Sequence, residues 1–408
     1  MGFNQKKAYL PVQFSSMHFA RRKRLLWLAA PWLAATAVLA SMVLALLVAP
    51  HGPIVPDPES AARAQLRAMI GQMLVIGFPG TSVQEEWPAR IAKMIGQGEI
   101  GGVLLLGDNI ESPEQLRELT GALRGAGGMF PPLIAVDQEG GAVQRLSPFK
   151  GFLGLPAAKT VAATDVETAY ALYAEQARQL VAEGITVNFG PVADLDLNPD
   201  NPIIGRLARS YGERPEVVAS FGRAFVAAHR EAGVLTAAKH FPGHGSGDSD
   251  PHDSALNHPA TRWQKQELAP FRSLMEEEPR VPMVMVGHLI IEGFSDGDAP
   301  TSLSRRAVTD VLREELAFNG LIITDDLDMA AVRERYGREE AFVRAAAAGN
   351  DLLLSANRAA PDKDLVEKVT RALVGAVEDG RISREQIEAS YRRIAAAKRS
   401  LLPRSGLQ

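Results

Sequence analysis

Eight short apolar runs, each followed by a longer amphipathic stretch, constrain this 408-residue chain more than any other feature. The runs are residues 73–78, 103–106, 133–136, 185–189, 235–239, 284–287, 321–324 and 351–354. Runs apolar throughout suit strands buried on both faces, and spacing by helices makes such strands parallel. One (β/α)8 barrel of the TIM type, ~250 residues or more with insertions, suits the length. An open doubly wound sheet is the alternative, because periodicity does not report closure.

One connecting helix reads closely. Thr164-Asp-Val-Glu167 forms a capping box, Ala169, Leu172, Tyr173, Ala177 and Leu180 make an apolar stripe, and Gly184 ends it. Residues 362–402 read as two amphipathic helices broken at Asp379-Gly380, packed outside the barrel.

Ahead of the body, Arg21, Arg22, Lys23 and Arg24 precede an uncharged segment at residues 25–48. At ~1.5 Å per residue that segment reaches ~36 Å, enough to cross ~30 Å of hydrocarbon. The expected organisation is a basic cytoplasmic tail over 1–24, a transmembrane anchor over 25–48, a proline-rich linker over 49–60 and a barrel domain over 61–408. Basic residues stay inside, so a single pass through the inner membrane would leave the body outside the cytoplasm. A cleaved signal peptide is the alternative.

Six of the 44 basic residues and none of the 48 acidic ones fall in the first 50 positions, so the body has a surplus of ten acids. A nucleic-acid reader needs the opposite balance on its folded domain. The chain has no cysteine, which removes thiol nucleophiles, cysteine zinc sites and iron-sulfur clusters and leaves His, Asp, Glu, Lys and Arg for chemistry.

Active sites of such barrels lie at the C-terminal strand ends. The third run is followed by Asp137-Gln-Glu-Gly-Gly-Ala-Val-Gln-Arg145, the fourth by an excursion through Asp194, Asp196 and residues 201–209, the fifth by Lys239-His-Phe-Pro-Gly-His-Gly245, and the seventh by Asp325-Asp-Leu-Asp-Met329. Lys239 and His240 interrupt an apolar run and need polar partners if buried. Pro242 and Gly243 exclude a helix, so His240 and His244 do not form a helical metal-binding pair; the glycines point to a loop able to move.

These motifs resemble the β-N-acetylglucosaminidases of glycoside hydrolase family 3, and residues 300–304 and 312–320 match that family's approach to its nucleophile. The resemblance covers roughly residues 65–400. It implies that Asp325 is the nucleophile of a retaining mechanism, with Asp326 and Asp328 as competing acids or helix caps. It implies an acid/base pair of His252 oriented by Asp250, with Pro251 where the family usually has serine and with Asp248, Asp253 and His258 as other pairings. Asp137, Arg145, Arg209, Lys239 and His240 match its sugar-binding positions, Arg206 rivals Arg209, and Glu139 and His288 read as supports behind them.

The implied activity is removal of terminal N-acetylglucosamine from glycans, peptidoglycan fragments included, with no cofactor and no metal. Three rivals stay open. One is a metal-dependent hydrolase built on His240, His244, His252, His288 and Asp325. The others are a catalytically silent wall-glycan-binding protein and an enzyme transferring the sugar to phosphate.

Overall fold

A computed structural model describes residues 57–128, 130–248 and 262–402. All eight expected strands are present: β1 (Leu74–Gly77), β2 (Gly102–Leu104), β3 (Leu133–Val136), β6 (Val187–Asn188), β7 (Leu235–Phe241), β8 (Met283–Val286), β9 (Leu321–Thr324) and β10 (Leu353–Ser355). A hairpin absent from the sequence reading, β4 (Gln138–Gly140) with β5 (Val143–Gln144), is inserted after β3.

The eight form one parallel sheet in the order β10-β1-β2-β3-β6-β7-β8-β9. β1 pairs with β10 through Leu74 and Leu353, and a single bridge between Ile323 and Leu352 brings β9 back toward β10. The barrel is thus nearly closed, and the open-sheet alternative falls. Its wall is apolar on both faces: Leu74, Val103, Ile134, Val136, Met283 and Ile323 are all buried. Burial at ~25 cal/mol per Å² of apolar surface is the main force holding the helices against the strands.

The fold class expected from the sequence needs one correction. Among the described residues no helix is long and apolar enough to cross a membrane. The barrel helices bury one stripe and keep a charged face; the 18-residue helix Pro215–Ala232 carries Glu216, Arg223, Arg230 and Glu231. Residues 25–48, on which the expected span and membrane contact rested, lie outside the described residues. The fold described is an α/β barrel without a transmembrane helix.

Local signals shift by small amounts. The first helix, Pro58–Met73, opens inside the expected linker, with proline in the first turn where a missing N–H is tolerated. Asp165, not Thr164, caps the helix Val166–Ala182, its carboxylate accepting from the Thr168 N–H at 2.7 Å. The two closing helices are Leu365–Glu378 and Arg384–Ser400, with Gly380 between them at φ +74°. From the last one, the buried Lys398 donates to Gln72 Oε1 at 2.8 Å and to the Gly101 carbonyl at 2.5 Å, tying the end of the barrel to its start.

Candidate active site

A cavity of about 870 Å³ opens at the C-terminal ends of the strands, and its walls include Asp137, Arg145, Arg209, Lys239, His240 and Asp325. The end of β3 delivers Asp137, β4 delivers Glu139, β7 delivers Lys239 and His240, and the end of β9 delivers Asp325. Arg209 arrives on the long excursion after β6. Arg145 follows the β4–β5 hairpin, whose tight turn uses Gly140 and Gly141 at φ +107° and +56°.

Lys239 is only 2% exposed, and its ammonium lies 2.6 Å from Asp137 and 2.7 Å from Glu139. Arg145 reaches the other oxygen of Asp137 at 3.3 Å, and Arg209 clasps Glu139 through Nε and Nη2, both at 2.7 Å. Burial alone would push both carboxyls up. The surrounding cations win, holding Asp137 well below the usual carboxylate range and Glu139 down at about 2. Burial would likewise drive the proton from Lys239, but Asp137 and Glu139 keep its pKa above the ordinary value. The result is a fixed array of charged hydrogen-bond donors and acceptors facing the cavity.

Arg206, the rival of Arg209, sits outside this array. It is largely exposed and stands 3.8 Å from Asp200. Glu139, read as a support behind the array, lies between Lys239 and Arg209 and itself lines the cavity.

His240 is held by a residue to which the sequence reading gave no role. Asp194, fully buried, accepts from His240 Nδ1 at 2.7 Å and from the backbone N–H groups of His240 and His244 at 3.1 and 2.8 Å. That contact fixes the orientation of the ring at the cavity wall. Glu267, also fully buried, was missed too: it accepts from the N–H groups of Gly245, Ser246 and Gln264 and from Ser246 Oγ at 2.6 Å. Both carboxylates recognise backbone amides, which carry no side-chain signature. Asp194 stood among the acids after the fourth run, and its place between Ala193 and Leu195 just past a strand was the signal for a buried role.

Close approach requires glycine at positions 243 and 245, a cause that the sequence reading did not consider. A Cβ on Gly245 would stand 1.7 Å from the Leu195 carbonyl oxygen, and one on Gly243 would stand 2.6 Å from Glu267 Cβ.

After β9 the three aspartates separate by environment. Asp328 is bound to Arg338 Nε at 2.6 Å, Ser355 Oγ at 2.7 Å and the Asn357 N–H at 3.0 Å, a structural set. Asp326 accepts from the N–H groups of Ala356 and Asp328, yet burial, with Asp328 and Asp325 nearby, pushes it up to about 7. For Asp325, burial is outweighed by His240, His288 and Lys239 together with the Asp326 N–H at 2.8 Å, and its pKa falls below the ordinary value. Of the pair lining the cavity, Asp325 is the one kept ionised.

His288 is spent on support. Its Nδ1 meets Ser302 Oγ at 2.6 Å and its Nε2 meets the Asp326 carbonyl at 2.9 Å, leaving no ring lone pair for a metal. Among the described residues no group of three or more His, Asp or Glu side chains is arranged to hold a metal ion. Asp250 and His252 lie outside the described residues, as do Asp253 and His258.

Comparison with known proteins gives one answer. Residues 65–397 match the Glycosyl hydrolase family 3 N terminal domain. Beta-hexosaminidase A of Pseudoalteromonas piscicida is 33% identical over 341 residues, covering 77% of this chain and 56% of the relative. Beta-hexosaminidase LpqI of Mycobacterium tuberculosis is 34% identical over 345 residues, covering 81% and 82%. Among solved structures, a glycoside hydrolase family 3 beta-N-acetylglucosaminidase from Paenibacillus sp. str. FPU-7 superposes with a TM-score of 0.73 at 33% identity, covering 84% of this chain and 64% of that one. The chain therefore spans little more than half the length of the first of these relatives and under two thirds of the Paenibacillus protein. Since the matched region runs from the first described helix to the last, it is the barrel itself that makes this chain a member of glycosyl hydrolase family 3.

Proposed function

We propose that this chain is a retaining exo-β-N-acetylglucosaminidase that removes terminal N-acetylglucosamine from glycans, peptidoglycan fragments in particular. The observation that carries the reading is the ionised Asp325 at the mouth of β9, facing a cavity whose other wall holds Asp137, Lys239, Arg145 and Arg209. The carboxylate attacks the anomeric carbon and forms a glycosyl ester, while the charged array takes the ring hydroxyls. His252, oriented by Asp250, protonates the departing oxygen and then deprotonates the water that releases the sugar. An imidazole with an unperturbed pKa of ~6.5 serves both steps near neutrality.

The test is trapping. An activated 5-fluoro-N-acetylglucosaminide should inactivate the protein and leave one fluorosugar on the peptide containing Asp325, read by mass spectrometry. Turnover of a chromogenic N-acetylglucosaminide separates an enzyme from a silent glycan binder. Turnover with the label on another residue, or with an inverted product by NMR, would overturn the assignment.

A further inference from the structure

Asp137 and Glu139 line the cavity, and the residue between them points the other way, as alternation along an extended segment requires. That residue, Gln138, is buried and is held through both its main chain and its side chain. Asn188, buried at the end of β6, accepts from the Gln138 N–H at 3.0 Å and donates through Nδ2 to the Gln138 carbonyl at 3.0 Å. The Gln138 side chain repeats the arrangement one step on. Its Oε1 accepts from the Leu146 N–H at 2.9 Å, and its Nε2 donates to the Leu146 carbonyl at 3.1 Å. Two side-chain amides in series thus each grip one residue by both of its main-chain polar groups.

A main-chain N–H only donates and a carbonyl only accepts, so both amides have one permitted orientation. For Asn188 this leaves the second Nδ2 hydrogen facing His229 Nε2 at 3.0 Å; that nitrogen accepts, and Nδ1–H donates to the Phe225 carbonyl at 2.9 Å. Gln176 donates to the Gln138 carbonyl as well, at 2.9 Å. The series is therefore anchored in the helices Val166–Ala182 and Pro215–Ala232.

The gripped residues are the chain neighbours of the charged groups at the cavity wall: Gln138 adjoins Asp137 and Glu139, and Leu146 adjoins Arg145. Between Asp137 and Arg145 themselves there is one contact, at 3.3 Å, and Arg145 Nε has no partner among the described residues. A single contact of that length does not fix the separation of the two side chains. Paired hydrogen bonds in a buried interior, where each is stronger than in water, do so through the main chain.

We propose that Gln138 and Asn188 are positioning residues, which set the separation of Asp137 and Arg145 and so the fit of the sugar without touching it. The inference rests on the glycosidase reading above.

The experiment measures turnover of a chromogenic N-acetylglucosaminide by the full chain as wild type, Gln138→Met, Arg145→Ala and the double variant. Methionine is close to glutamine in length and releases both grips on Leu146, so KM should rise by about tenfold with a smaller change in kcat. In the Arg145→Ala background the same substitution should cost less than about twofold in kcat/KM, because its effect passes through Arg145. Asn188→Asp keeps an oxygen for the Gln138 N–H and loses the donor to its carbonyl, which Gln176 still serves. Its KM should rise by an intermediate factor, which keeps the test open even if Gln138→Met folds poorly. A role in stability alone would lower the amount of active enzyme, and with it the apparent kcat, and leave KM where it was. That result, or a tenfold loss that persists without Arg145, would overturn the inference while the glycosidase reading stands. If the wild type cleaves no N-acetylglucosaminide, that reading itself fails, and calorimetric binding of free N-acetylglucosamine replaces KM. A dissociation constant that Gln138→Met leaves unmoved, or no binding by the wild type, would then overturn the positioning role as well.

Discussion

Replacing Lys239 by methionine tests whether the buried charge array is held together by its central ammonium. The side chains are similar in length, so the change removes charge more than volume. With an effective dielectric of about 20, Coulomb's law gives ~6 kcal/mol for a contact of this length, and Lys239 makes two, at 2.6 and 2.7 Å. Most of that attraction offsets the cost of burying the ions, so the expected net loss is the ~3–5 kcal/mol seen when one partner of a buried pair is removed. Asp137 should suffer most, because it keeps only Arg145 at 3.3 Å, whereas Glu139 retains both bonds to Arg209. Equilibrium urea unfolding followed by tryptophan fluorescence measures the loss. The double variant Asp137→Asn with Lys239→Met removes the stranded carboxylate and should recover about half of it. A single variant costing under ~1 kcal/mol, or a double variant no more stable than the single, would refute this account of the array.

Other perturbations follow from the same contacts. Arg209→Ala should destabilise by roughly 3 kcal/mol by leaving the buried Glu139 with Lys239 as its one close cation, while Arg206→Ala should stay within about 0.5 kcal/mol; equal losses in urea would contradict the geometry. Gly245→Ala should misfold or lose well over 2 kcal/mol, because its Cβ has no space beside Leu195, and a Tm unchanged from wild type would show that the backbone can shift there. Burial pushes His229 and His244 each down to about 4, so the fold holds them neutral. Below their unfolded pKa of ~6.5 the unfolded chain binds more protons, so stability is complete above that pH and falls toward pH 4, by up to about 3 kcal/mol per histidine. His229→Gln should flatten that part of a Tm-against-pH profile. Asp325→Asn should abolish turnover and Asp326→Asn should hurt less, as steady-state rates would report.

The strands were legible because each is apolar on both faces, a pattern that belongs to a buried parallel sheet. The charged residues after β3, β7 and β9 were legible for the complementary reason: Lys239 at the end of an apolar run had to meet partners, and it meets Asp137 and Glu139. The roles of Asp194 and Glu267 were not, because most of what they bind is main chain: Asp194 binds residues 46 and 50 positions away, a proximity that the folded barrel creates. Gly243 and Gly245 show how a sequence signal has two causes. Glycine permits movement and also permits contact, and only the position of Leu195 and Glu267 tells them apart. The β4–β5 hairpin escaped notice because strands of three and two residues are too short to show a period.

The pairing of β1 with β10 bears on how the chain is made. During synthesis from the N-terminus, β2 can dock on one flank of β1 early, but the other flank waits for a strand that emerges roughly 280 residues later, some 15 to 55 s at typical ribosomal rates. Throughout that interval Leu74, Val75 and Ile76 present unpaired amides and carbonyls to anything nearby, including the same segment of a neighbouring nascent chain. Lys398 arrives later still to seal the first helix. The demand for folding assistance in the cell should therefore centre on the first strand, and edits that speed release of the last helix should raise the yield of native protein more than edits that strengthen the middle of the barrel.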